Sequence, residues 1–69
     1  MPISLASPNE TLTIKKITGN EKIQMHLRNL GFIEGEPVII VSKINKSVIL
    51  KIKGVSLAIT NDLANKIYV

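Results

Sequence analysis

Apolar residues recur along this chain with two different periods. Between Asn20 and Leu30, the residues Ile23, Leu27 and Leu30 fall at helical spacing, which leaves Lys22, Gln24, Arg28 and Asn29 toward water. The spacing predicts an α-helix over about residues 20–30, roughly three turns long. Two start signals compete: Asn20 as an N-cap, or Thr18 with Glu21 as a capping box. The stop signal is Gly31, which can take the left-handed conformation that closes a helix. Leu30 then becomes the C-cap, Phe32 folds back on Leu27, and Arg28 sits favourably at the negative end of the helix dipole.

Elsewhere the period is two. Leu12 and Ile14 alternate with Thr11, Thr13 and Lys15, which predicts a half-buried first strand. The alternation fails at Lys16-Ile17, where a bulge or the strand's end is expected. After the helix, Gly35, Glu36 and Pro37 turn the chain into the run Val38–Val41, which is apolar on both faces. Residues 44–47 then form a hairpin connection, and Val48, Leu50 and Ile52 alternate in the next strand, with Lys51 and Lys53 sharing its outward face. Gly54 allows a kink or bulge where the sheet turns to close. Val55, Leu57 and Ile59 continue as a further strand, opposite Ser56, Ala58 and Thr60. Thr60 caps a short helical turn over about residues 61–66, with Asp62 near its N-terminus, and Ile67-Tyr68-Val69 is expected to close the barrel. Ahead of all this, Ile3, Leu5 and Ala6 read as an extended entry piece, and Ser7-Pro8-Asn9-Glu10 as a turn. Short sequential strands with turn signals predict a mainly β fold, a small barrel with one inserted helix.

The chain has 69 residues, which allows one domain with a small core. One Phe, one Tyr and no Trp make that core aliphatic. The absence of cysteine removes disulfide staples and thiolate metal sites. No segment approaches the roughly 18 apolar residues of a membrane span, and the N-terminus has no leader-like pattern, so a soluble, unprocessed protein is expected, and the lack of cysteine is compatible with a reducing cytoplasm. The formal net charge of +4 raises nucleic acid as a partner. The lysines are spread along the chain without a block of like charge, which favours plain surface solvation.

Candidate chemistry is sparse. The serines have only His26 as a possible base, and no carboxylate is placed to orient it, so no enzymatic activity and no small-molecule substrate are predicted. His26 lies beside the apolar stripe and is expected to cap the core edge with its ring. A metal site would need several His, Glu or Asp residues together, and none is legible; no metal or cofactor is predicted. Gly31 and Gly35 lack the Gly-Lys-Ser/Thr of a phosphate-binding loop. Excess apolar surface carries more information. Met25 falls on the helix face opposite Ile23 and Leu27, while Ile39 and Ile49 fall on strand faces opposite their buried neighbours. If those strands pair, Ile39 and Ile49 share one outer patch, and a contiguous patch marks a binding surface.

The order helix, Leu30-Gly31-Phe32, Gly35-Glu36, apolar strand, Lys53-Gly54, Leu57-Ala58-Ile59 and a closing Ala64-x-x-Ile67-x-Val69 resembles the FeoA family, the small component of bacterial ferrous iron uptake. The likeness covers nearly the whole chain, as one FeoA-like domain over 1–69, although Asn9 stands where such chains usually have Gly. It implies an SH3-like β-barrel and a protein partner in place of a substrate: the cytoplasmic, GTP-binding part of the FeoB permease, whose assembly or nucleotide cycle the protein would influence. The expected contacts are Met25, Ile39 and Ile49, with Lys51 and Lys53 steering toward acidic groups. Alternatives are a basic barrel binding nucleic acid through Lys15, Lys16, Lys43, Lys51 and Lys53, a likeness to the C-terminal barrel of metal-dependent repressors, and self-association through the apolar patch.

Overall fold

A computed structural model describes every residue from Met1 to Val69. Six strands and two helices follow in the order β1 (Thr11–Thr13), β2 (Lys16–Ile17), α1 (Glu21–Asn29), β3 (Pro37–Ile44), β4 (Ser47–Ile52), β5 (Val55–Thr60), α2 (Asn61–Ala64) and β6 (Ile67–Tyr68). A 3₁₀ turn, Ile3–Leu5, precedes them. The entry piece is therefore coiled and not extended: the Ala6 amide donates to the Ile3 carbonyl at 3.0 Å, which tucks Ile3 and Ala6 together into the core.

The strands form two antiparallel sheets, one ordered β1-β3-β4-β5 and the other pairing β2 with β6. The hydrogen-bonded ladder does not run continuously around the fold: β6 does not close the larger sheet into a barrel as expected, but pairs with β2 in a separate ribbon. The break at Lys16-Ile17 is where the chain changes sheets. Ile14 exchanges backbone bonds with the turn before β3, its amide donating to Glu36 at 3.0 Å and its carbonyl accepting from Gly35 at 2.8 Å. One residue on, the Lys15 amide donates to Tyr68 at 2.7 Å. Between the sheets lies one apolar cluster of 15 buried residues, aliphatic except for Phe32 and including Ile3, Leu27, Val38, Ile40, Leu50, Ile59 and Ile67. The two ends of the chain meet: the Met1 ammonium donates to the Val69 carbonyl, and the Val69 amide to the Met1 carbonyl, each at 2.9 Å.

Helix α1 starts at Asn20, whose side chain accepts from the Ile23 amide at 2.9 Å. Thr18 has another role, donating its hydroxyl to the Lys66 carbonyl at 3.1 Å. At the other end Gly31 has φ +106°. Its amide donates to Arg28 at 2.9 Å and the Phe32 amide to Leu27 at 3.0 Å, which are the two bonds of a Schellman closure around the Leu30 C-cap. The closure swings Phe32 into the core, where it is fully buried with Leu27. Leu30, the C-cap, stays exposed, and His26 also faces water instead of capping the core edge. The second helix is capped by Thr60, whose hydroxyl accepts from the Leu63 amide at 3.4 Å, and it ends at Ala64, short of the expected Lys66.

Candidate functional site

The informative surface is the outer face of the four-stranded sheet. On β3 and β4 the register pairs Val38 with Ile52 and Ile40 with Leu50, all four buried. By alternation, Ile39 and its partner Lys51 point the other way. A bulge then intervenes between Ile40 and Ser42, so that Val41 and Ser42 both stand against Ile49. The bulge shifts the phase of β3 by one residue. It keeps Val41 on the outer face and turns Ile44 outward beyond it, while Val48 remains in the core. Next to Ile49 on β5 lies Ala58, which is exposed. Ile39, Val41 and Ile44 are exposed by 41%, 45% and 57%, so the outer face carries a continuous apolar band in place of scattered singletons.

Ile39 and Ile49 thus share this face as diagonal neighbours across β3 and β4, with Ile49 half-buried between its flanking strands. Lys51 stands at the edge of the band, beside Ile39. Lys53 does not share its face. The chain reverses there: Ile52 pairs with Val55, and Lys53 (φ +52°) and Gly54 (φ +78°) are the two central residues of the hairpin, both with the positive φ of a type I′ turn. Gly54 is accordingly a turn residue and not a kink within a strand. Met25 is 63% exposed but belongs to another surface. Its helix reaches the core through Leu27, whereas the sheet band points away from that core. Met25 lies in a shallow, open depression bounded by Glu21, Gln24, Arg28 and Asn29.

Sequence reasoning missed Val41 and Ile44 as members of the band. The apolar run Val38–Val41 hinted at the first, but the phase shift that places Val41 and Ile44 together depends on the bulge. No three His, Cys, Asp or Glu side chains converge anywhere on the molecule. The aromatic rings are likewise occupied: Phe32 is buried, and the Tyr68 ring lies under the Lys16 ammonium, 5.2 Å from its centroid. Phe32 is therefore unavailable to stack on a base. No helix is long and apolar enough to cross a membrane.

Two small sheets around an apolar core, one inserted helix and an exposed apolar band on the outer sheet face define a small SH3-like module. The FeoA domain model matches residues 1–69, and the chain belongs to the FeoA family, whose role lies in ferrous iron transport. Solved structures agree on the fold. An iron uptake regulatory protein (FeoA) superposes with a TM-score of 0.90 at 22% identity, over 97% of this chain and 91% of the other. FeoA of Stenotrophomonas maltophilia, a prokaryotic SH3 domain protein complexed with zinc, gives 0.86 at 22% identity over 99% and 87%. A manganese-dependent transcriptional repressor gives 0.92 at 11% identity, but this chain spans only 40% of that protein. No curated protein matches the chain by sequence.

Proposed function

We propose that this chain is a non-enzymatic accessory protein of bacterial ferrous iron uptake that acts in the cytoplasm. It binds the cytoplasmic part of a FeoB-type permease and modulates the permease's assembly or GTP cycle. Membership in the FeoA family supplies the process. The observation that carries the mode of action is the apolar outer band, Ile39, Val41, Ile44, Ile49 and Ala58, beside the cation of Lys51. Burying such a band against a partner releases water from contiguous apolar surface, while Lys51 favours an acidic rim on the other side. Met25 on the helix and Lys53 at the hairpin tip are separate candidate contacts, which a partner would reach only by wrapping the molecule.

Calorimetric titration into the purified GTP-binding region of the permease, with a generic RNA as parallel titrant, tests this reading. Saturable binding to the permease that survives moderate salt is expected, and Ile39→Asp should weaken it by about tenfold or more, the usual scale for a central contact. Met25→Asp tests the helix separately: unchanged affinity with unchanged folding removes Met25 from the interface. Binding to RNA alone, falling steeply with salt, would replace the adaptor reading by a basic nucleic-acid-binding barrel.

A further inference from the structure

An edge strand with unpaired backbone groups is a template for another strand, and proteins protect such edges by keeping them short, charged, bulged or interrupted by Pro. Here β1 has three residues, and β2 and β6 have two each. By contrast β5 runs for six, Val55–Thr60, without a charge, a proline or a glycine. Its six pairs with β4 are in unbroken register, so no bulge twists it away. Because Ile52 and Val55 flank a two-residue turn, they form a hydrogen-bonded pair, and the alternation makes Leu50–Leu57 and Val48–Ile59 hydrogen-bonded too. The backbone groups of Ser56 and Ala58 therefore point away from β4, and neither residue has a backbone bond outside the sheet. Both are exposed, as is Val55.

We propose that β5 is a self-association edge, on which a second copy of this chain adds its own β5 antiparallel about a two-fold axis through Leu57. Ser56 of each copy pairs with Ala58 of the other, and four backbone hydrogen bonds join the two four-stranded sheets into one. The same register sets Val55 level with Ile59 of the second copy. It also sets the hairpin tip Lys53 level with Asn61 of the second copy, beside its Asp62, the acidic residue in the first turn of α2. That pairing of opposite charge occurs twice by symmetry, and it selects a second copy over an arbitrary extended peptide. The outer apolar bands of the two copies then lie on one continuous face. The proposal does not rest on the permease reading, and its test uses this chain alone.

Sedimentation equilibrium from micromolar concentration to about 1 mM should show a reversible monomer–dimer transition. Ala58→Pro removes an edge-facing amide at a position where an edge strand tolerates proline. It should leave the protein monomeric with unchanged circular dichroism. Lys53→Glu should weaken the dimer by roughly tenfold, since two exposed pairs turn from attraction to repulsion, and Lys53→Glu with Asp62→Lys should restore it. A wild-type chain that stays monomeric throughout overturns the proposal, as does a dimer that a folded Ala58→Pro variant retains. Failure of the charge exchange to restore association overturns it independently of how Ala58→Pro folds.

Discussion

Replacing Gly31 by alanine isolates the contribution of one backbone conformation, because the side chain added has almost nothing to meet. A Cβ at this position would approach only the Ile52 Cγ2, at 3.9 Å, an ordinary van der Waals contact. The cost therefore comes from the backbone: at φ +106° an L-residue is held outside its favoured regions, a penalty of about 1–2 kcal/mol. If the chain relieves that penalty by opening the closure, it gives up the bonds Gly31 to Arg28 and Phe32 to Leu27, worth about 1 kcal/mol each. Opening also loosens the anchorage of Phe32. A chain of 69 residues has about 3–10 kcal/mol of stability in total, so the loss is a sizeable fraction of it. With about 4–8 °C of midpoint per kcal/mol in a domain of this size, Gly31→Ala should lower the thermal midpoint by about 5–15 °C. Gly31→Asn, which enters the left-handed region more readily, should lose less. Thermal denaturation followed by circular dichroism reads both variants. A shift below about 2 °C for alanine would refute the reasoning, since α1 would then close equally well without a positive φ.

Three further changes probe other links in the fold. Asn20→Ala removes the side chain that accepts from Ile23, and should cost about 1 kcal/mol by urea denaturation, whereas Thr18→Ala should not unwind the start of α1. Phe32→Ala truncates the largest fully buried side chain and should cost about 3–5 kcal/mol, enough to leave much of the protein unfolded at 37 °C; a dispersed amide spectrum at that temperature would contradict this. Lys53→Asn produces the Asn-Gly pair preferred in type I′ turns and should raise the midpoint by a few degrees, read at a concentration low enough to exclude association.

The sequence by itself determined what is governed by a few adjacent residues. Asn20, Gly31 and Phe32 carry the start, stop and fold-back of α1, because capping and closure are chemistry within one helical turn. The alternation of Val48, Leu50 and Ile52 marked the buried face of β4, because a strand's side chains have a period of two wherever it pairs. The resemblance supplied the family. What the tertiary structure decided depends on pairing over distance. The switch of the chain from the larger sheet to the β2–β6 ribbon at Lys15 is set by Tyr68, more than fifty residues away. The bulge at Val41 exists only relative to Ile49, yet it decides which residues of β3 join the outer band. Locally, Lys53 reads as the end of its strand and Gly54 as a kink or bulge; only the register of Ile52 with Val55 makes them a two-residue hairpin and separates Lys53 from Lys51. Met25 and Ile39 are both apolar residues that fall opposite buried neighbours in the pattern, and nothing local says that they lie on different surfaces. Their separation follows from the side on which Leu27 enters the core, which is a property of the packed barrel and not of either segment.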